Sequence, residues 1–396
     1  MKLEEFDSNV WKLCLIRVIS NFMLVIPVIV LFFQENGLTM QQVFIVQVIF
    51  SITVIVLEVP SGYFSDQFGR KVSIVFGMII SFCGFFEYAL AYDFWGFVVG
   101  EILMGIGCSF VSGSDEALLY DTLLEEKRES EFQKIIGLKM GLGLFSEGVA
   151  SMIGGLLALI SLRFPLYVEV FIFAFSIPIA ISLREPKLLS ARASEEWLNL
   201  IKRIQFCFYG NLRIRNAILY SSVVSSSTLV MFWLIQKYLE SIDIPLGLFG
   251  IIATGMMFVS SFFSWKSDWI TENMNRVGLL FGLWLMPIGG FLLLGFTFQC
   301  WSWIFIVLFY VTRGLMNPVL SVYINGLINS SERATILSVK NLVGRALFCL
   351  TGPVIGWMCD VFSLKIALFF SGAIFFLFGL ILLGFVWVNK SMYDLT

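Results

Sequence analysis

The sequence contains no histidine, and charged residues make up only 14% of its 396 positions. An ordinary soluble domain carries about 25% charged residues. The scarcity of charge therefore excludes a typical soluble globular protein. The absence of histidine means that any proton-coupled step must use carboxylates, because histidine is the side chain that normally titrates near neutral pH.

Paired or metal-ligating cysteines are also lacking. The spacing of the seven cysteines fits neither a metal site nor a disulfide framework, and most lie inside apolar runs, where cysteine packs as a small core residue. With no histidine, no cysteine cluster and no phosphate-binding glycine loop, the chain offers no catalytic constellation. We expect no catalytic residues, no metal, no cofactor and no nucleic-acid partner, and we predict that the protein is not an enzyme.

Long apolar runs are abundant, in a chain that is 58% hydrophobic with a mean hydropathy of +0.89. A helix of about 20 such residues crosses the roughly 30 Å hydrocarbon core of a bilayer. These runs do not alternate as barrel strands do, which favours helices. The sequence therefore predicts an all-α membrane protein with twelve transmembrane helices, near residues 10–33, 40–62, 72–92, 94–119, 134–160, 164–183, 214–239, 246–265, 277–298, 301–328, 334–358 and 363–388.

Positive charge alternates between successive loops. Arg70 and Lys71 begin a series of basic loops on one side, whereas the other side offers only Arg163, Lys237 and Lys365. Basic loops stay on the cytoplasmic side of a membrane. This rule predicts a multi-pass protein of the inner cell membrane with both termini in the cytoplasm.

A long polar segment, residues 184–213, divides the chain into an N-terminal six-helix bundle (1–183) and a C-terminal one (214–396). Within the segment, residues 194–208 have amphipathic spacing, which predicts a helix on the inner membrane surface. "GYFSD" from Gly62 recurs as "SWKSD" from Ser264, and "ASMIGG" recurs as "GPVIGW", both 202 positions later. One shared offset predicts two pseudo-symmetric halves related by an axis along the membrane normal.

The stretch "GYFSDQFGRK" resembles the loop between helices two and three of the major facilitator superfamily. The positions that match the family pattern are Gly62, Asp66, Gly69, Arg70 and Lys71. Gln67 replaces the usual arginine, and "LEVPSG" and "ERATILS" are also similar to family sequences. The resemblance is strongest to the drug/proton antiporter branch. It implies a secondary transporter whose two six-helix halves expose one central site to each side of the membrane in turn.

The same stretch is expected to act as a gating loop. Its glycines permit a tight turn and close backbone approach, and Arg70 or Lys71 can pair with acidic residues after the fourth span to form a latch that breaks in one state. The alternative is that the basic pair only sets topology. The gating-loop candidates are Gly62, Asp66, Gly69, Arg70, Lys71, Asp121 and the repeat equivalent Asp268.

Several charges fall inside the predicted spans, where each costs at least about 2.5–3.5 kcal/mol on insertion scales unless it has a partner or a function. The carboxylates that are candidates for proton coupling are Glu147, Glu101 and Asp115. In the family that the chain resembles, helices one, four, seven and ten line the cavity, and helices two, five, eight and eleven lie beside them. The resulting substrate-binding candidates are Arg17, Asn21, Trp233, Gln236, Arg313, Asn317 and Arg345. The alternative for each charge is a structural buried ion pair.

Two departures from the family pattern concern the direction of transport. Glu101 occupies a position where exporters usually carry arginine, and Ala150 and Ser151 replace the Gly-Pro of the exporter element in helix five. We predict proton-coupled efflux of a small organic solute by a monomer. Proton-coupled import or uncoupled uniport of a small, anionic metabolite or siderophore stays open, and a membrane sensor or scaffold is the alternative outside the transporter class.

Overall fold

A computed structural model describes residues 8–186, 212–325 and 333–388, which are helical apart from short connections. The expected interfacial helix at residues 194–208 lies outside these ranges. In chain order the α-helices are α1 Ser8–Ser20, α2 Ile29–Glu35, α3 Met40–Phe68, α4 Arg70–Leu90, α5 Phe94–Val111, α6 Ser114–Glu125, α7 Phe132–Leu157, α8 Phe164–Ala174, α9 Ser176–Ile181, α10 Leu212–Ser241, α11 Leu246–Trp265, α12 Ser267–Asn273, α13 Arg276–Thr297, α14 Val307–Asn325, α15 Arg333–Val361 and α16 Leu364–Val388.

Eleven helical stretches of the described residues are long and apolar enough to cross a membrane. The remaining predicted span, residues 10–33, is not one continuous helix: α1 ends at Ser20, and a 3₁₀ turn, Ile26–Val28, leads into α2. Pro27 lies in the first turn of this 3₁₀ helix, where its missing N–H group is tolerated, and it prevents a helical hydrogen bond to the carbonyl four residues earlier. We call residues 21–25 the first-span break.

Two glycines decide where other helices end. α3 continues through Phe68, beyond the predicted end at residue 62, so most of the expected loop is helical and the chain turns only at Gly69. The fourth predicted span is divided at Gly113, which has a φ of 80° and separates α5 from α6. Both glycines have positive φ values that L side chains rarely adopt.

The helices form two compact units. The first comprises Met1–Leu38, Ile49–Glu196 and Leu246–Thr254, as far as these ranges are described. Its core is a cluster of buried aliphatic and aromatic side chains contributed by α1, α4, α6, α7, α8 and α9. The start of α11 belongs to this unit because Gly250 packs on the backbone of α7 and the Thr254 hydroxyl donates to the Gly148 carbonyl at 2.9 Å.

The second unit comprises Thr39–Val48, Trp197–Pro245 and Gly255–Thr396, as far as they are described. The start of α3 belongs to it because the Asp360 carboxylate accepts the Met40 and Gln41 backbone N–H groups at 2.9 and 2.8 Å. An anion at a helix N-terminus is stabilised by the helix dipole and the free N–H groups. The division by packing thus differs from the division by sequence in two short helical segments.

Large apolar side chains are exposed on many of the helices, for example Phe145 at 68%, Phe258 at 67% and Phe296 at 73%. In water such a surface would be unfavourable, whereas lipid covers it at no cost. The described helices satisfy their backbone hydrogen bonds internally, as hydrocarbon requires. The chain is a multi-pass membrane protein.

Candidate functional site

A cavity of about 290 Å³ lies inside the first unit, surrounded by α1 and α3 to α8. Its polar and charged lining residues are Arg17, Ser20, Asn21, Ser81, Ser112, Asp115, Glu116 and Lys139. Its large apolar and sulfur-containing lining residues are Met23, Phe50, Met78, Phe85, Met104, Cys108, Met140 and Phe173. Flexible methionines beside aromatic rings form walls that adapt to different apolar ligands. The cavity therefore combines adaptable apolar walls with charges of both signs.

An ion pair between Asp115 and Lys139 supplies two of these charges. The positive φ of Gly113 ends α5, so that α6 begins at Ser114 and places Asp115 in its first turn, where the helix dipole stabilises a carboxylate. Lys139 comes from the N-terminal third of α7, and its side chain is only 5% exposed. The structure thus gives the predicted proton-coupling residue Asp115 a cationic partner.

Arg17 and Asn21 project from the end of α1 into the same cavity. A methyl group added at Gly143 on α7 would meet the Arg17 Nε atom at 3.1 Å and Asn21 at 3.4 Å, so glycine is what lets both side chains fit there. The buried Arg17 Nε atom has no hydrogen-bond acceptor among the described residues. These two substrate candidates line the cavity together, and the Arg17 guanidinium keeps an unused donor.

The other two proton-coupling candidates do not line this cavity. Glu101 on α5 is 3% exposed and lies beside Tyr88. Glu147 on α7 is half-buried. Both make interactions within the protein, and their part in proton coupling stays a prediction.

The remaining substrate candidates lie on helices of the second unit. Trp233 and Gln236 on α10 are 7% and 4% exposed, whereas Arg313 on α14 is exposed and its guanidinium lies 5.8 Å from the Phe232 ring centroid. Arg345 on α15 is half-buried. Asn317 lies on α14, and its side chain is outside the described part of the chain. Their roles in substrate binding stay predictions.

The turn at Gly69 holds a compact set of ionic contacts. The Arg70 Nε atom is 2.6 Å from Asp121 Oδ2, and its Nη1 atom is 3.5 Å from Asp66 Oδ1, so one guanidinium joins the end of α3 to α6. The Glu185 carboxylate accepts the backbone N–H groups of Arg70 and Lys71 at 2.8 and 2.7 Å. The expected pairing of Arg70 with Asp121 is present, while its breakage during transport stays a prediction.

Two gating-loop residues differ from the expectation. Gly62 is inside α3, and a methyl group added there would meet no atom within 4 Å, so the expected close backbone approach at Gly62 is wrong. Asp268 is exposed in the first turn of α12, after a helix boundary at Lys266. Among the described contacts it has no ion pair comparable with that of Asp66.

Three charged side chains that form specific contacts in the structure were not among the candidates predicted from the sequence. Lys139 was not among the candidates, although it falls inside the predicted span 134–160 and lies within a helix that spans Glu129–Leu157. Glu169 is an isolated carboxyl group in the apolar stretch Phe164–Ile181, which is the signal that would have identified it. Glu185 gave no local signal, because its partners are 115 and 114 positions away.

We expect a Gly69→Ala substitution to destabilise the protein by about 1–3 kcal/mol. The φ of 104° and ψ of 148° at Gly69 are nearly exclusive to glycine, and the new methyl group would lie 3.2–3.3 Å from the Glu185 carboxylate. Thermal unfolding of the purified protein measures the effect. Gly62→Ala on the same motif is the control and is expected to be neutral or slightly stabilising, since helical alanine has free space there. Equal stabilities of the two variants would contradict this account.

Comparison with known proteins gives the family. The model of the Major Facilitator Superfamily matches residues 13–348. The chain is 33% identical over 103 residues to an uncharacterized transporter of Buchnera aphidicola subsp. Schizaphis graminum (strain Sg), a match that covers 26% of each protein. It is 23% identical over 335 residues to the quinolone resistance protein NorA of Staphylococcus aureus (strain COL), covering 81% of this chain and 83% of NorA.

Solved structures agree on the fold. The crystal structure of the nucleoside transporter NupG superposes with a TM-score of 0.80 at 13% identity, covering 95% of this chain and 98% of NupG. At this identity the likeness shows the fold alone. The family match over residues 13–348, together with the helical spans, shows that this chain is a transporter-family protein rather than an enzyme and that it belongs to the Major Facilitator Superfamily.

Proposed function

We propose that this protein is a proton-coupled secondary transporter that exports a small organic solute across the inner cell membrane by alternating access, as a monomer with cytoplasmic termini. The observation that carries the proposal is the cavity of the first unit, in which the Asp115–Lys139 ion pair and Arg17 face methionine and phenylalanine side chains. A pocket of this kind suits an amphipathic solute, whose apolar part contacts the walls and whose polar group meets the charges.

The ion pair provides a way to couple protons to the solute. When Asp115 is ionised, the two carboxylates of the cavity, Asp115 and Glu116, balance the two cations, Arg17 and Lys139, and a cationic group of a solute can pair with a carboxylate. When Asp115 takes up a proton, its attraction for Lys139 is lost and the cavity becomes more positive by one charge. Binding of a proton then weakens the binding of a cationic or zwitterionic solute, and binding of the solute weakens the binding of the proton. A transporter that exchanges the two requires this reciprocal effect.

Two sequence features bear on the direction of transport, and they point in opposite directions. NorA, which matches over most of its length, is named for quinolone resistance, and this favours export of an aromatic solute. Glu101, in place of the usual exporter arginine, favours the alternative of proton-coupled import. The two directions differ in whether solute and protons move oppositely or together.

Flux in liposomes tests the proposal. We expect an imposed pH gradient to drive ethidium or a fluoroquinolone against the direction of proton flow, with internal pyranine reporting the protons. Naphthalenesulfonate, an aromatic anion, is expected to be a poor substrate. Liposomes with a collapsed gradient are the control. Flux that ignores the gradient would indicate a uniporter, and flux in the same direction as the protons would indicate symport; either result contradicts the proposal.

A further inference from the structure

Glu169 on α8 is a buried carboxyl group that the proposed cavity does not use. Its side chain is 2% exposed. Its Oε2 atom accepts the backbone N–H of Val25 at 3.0 Å, and the Leu24 backbone lies beside the same carboxyl group. Its Oε1 atom is buried and has no hydrogen-bond donor among the described residues. Glu169 is therefore joined to the first-span break by one oxygen, while the other oxygen is unused.

No cation compensates this carboxyl group in the described part of the chain. The elements that pack against α8 are α1, α4, α7 and α9. The ionisable side chains on them, among them Arg17, Glu87, Tyr88, Lys139 and Glu147, form no ion pair or hydrogen bond with Glu169 among the described contacts, and α9 carries no ionisable residue.

The cation six residues before it, Arg163, is used elsewhere. It donates to the Ala89 carbonyl at 2.8 Å and to the Asn36 side chain at 2.6 Å. An unpaired carboxylate buried in a membrane protein is costly, whereas the neutral acid is tolerated much better.

The first-span break connects Glu169 to the cavity. Asn21, the first residue of the break, lines the cavity, and its backbone N–H donates to the Arg17 carbonyl at 3.1 Å. On the far side, the Leu24 carbonyl packs directly on Gly154 of α7, where a methyl group would clash. Two contacts therefore hold the break, one with α7 and one with the Glu169 carboxyl group. Asn21 lies at most four residues from either contact, so a backbone shift at the contact is transmitted to Asn21 over a short distance.

We propose that Glu169 is a proton-binding site whose charge state controls the first-span break and, through it, the position of Asn21 in the cavity. In one step the carboxylate takes a proton from water on one side of the membrane and becomes the neutral acid, which is the weaker acceptor for the Val25 N–H group. In the other step the neutral acid releases that proton to water on the opposite side and becomes the carboxylate again. The link to solute flux rests on the proposed transport function, but proton binding and the response of the break do not.

Infrared spectroscopy of the purified full-length protein tests proton binding without any solute. We expect the wild type to show the carbonyl stretch of a buried, protonated carboxylic acid near neutral pH and to lose it as the pH is raised, and we expect this component of the band to be missing in Glu169→Gln. Glu240→Gln removes an exposed carboxyl group on α10 and is the control that keeps the band. Glutamine preserves shape and accepts the Val25 N–H group, so the variant is expected to fold. A wild type without this band, or a Glu169→Gln variant whose acid band is as strong as that of the wild type, overturns the proposal.

Hydrogen exchange tests the response of the break. After correction for the intrinsic effect of pH on exchange, we expect residues 21–25 to exchange faster in the wild type when the acid band is present, and Glu169→Gln to show no such change. A purely structural cap would leave exchange independent of protonation, and that result would overturn the proposed control of the break.

The liposome assay separates this inference from the proposed function. We expect Glu169→Gln to lose gradient-driven flux while Glu240→Gln keeps it. Normal flux in Glu169→Gln would refute the link between Glu169 and solute flux and leave the transporter proposal standing. Flux in the wild type that ignores the pH gradient would refute the transporter proposal, while the infrared and exchange results would still decide whether Glu169 binds a proton.

Discussion

Replacing Lys139 by methionine is expected to lower the free energy of unfolding by about 2–3 kcal/mol and to abolish pH-gradient-driven transport. The substitution keeps the apolar stem of Lys139 but leaves the Asp115 carboxylate, whose side chain is 14% exposed, without its cationic partner. Removing one member of a buried ion pair is costly because the other charge stays desolvated. Chemical unfolding of the purified protein and flux in liposomes measure the two effects.

A double variant separates stability from transport in this prediction. Asp115→Asn combined with Lys139→Met removes both charges, so we expect most of the lost stability to return while transport stays absent. Lys237→Met is the control, because Lys237 pairs with Glu240 on the surface, where an ion pair contributes about 0–1 kcal/mol. Recovery of transport in the double variant would show that the pair is structural only.

Replacing Gly154 by alanine is expected to destabilise the protein by about 1–3 kcal/mol or more, since the new methyl group would overlap the Leu24 backbone carbonyl. Either α7 or the first-span break must move, and the Glu169 contact at Val25 moves with it. Thermal unfolding measures the cost, and hydrogen exchange of residues 21–25 locates the displacement.

The matched control for Gly154 is Gly141, which lies more than three turns earlier on the same helix. Gly141→Ala adds the same methyl group to α7, where no described atom lies within 4 Å, and alanine is favoured over glycine in a helix by roughly 1 kcal/mol. We therefore expect Gly141→Ala to be neutral or slightly stabilising. Similar losses in both variants would mean that glycine content, rather than the contact with Leu24, determines the stability of α7.

Taken by itself, the sequence determined the membrane class, nearly all the helical spans and the family. These properties depend on composition, on the length of apolar runs and on a short motif, each of which is read from neighbouring residues. The motif also contained enough local chemistry to predict that Arg70 or Lys71 pairs with an acidic residue after the fourth span, and the structure pairs Arg70 with Asp121. It did not show that Gly62 lies inside α3, because glycine permits a turn without requiring one.

Only the tertiary structure decided which buried charges meet. Asp115 and Lys139 are 24 positions apart, and Glu169 and Val25 are 144 positions apart. No local periodicity encodes such a pairing, since it depends on which faces of α1, α6, α7 and α8 pack together. Proline is compatible with an interrupted helix at Pro27. The buried Val25 N–H group receives a carboxyl partner only because α8 packs beside it and brings Glu169 within reach. Hydrocarbon supplies no water to satisfy that backbone, so the protein has to provide the partner from a distant part of the chain.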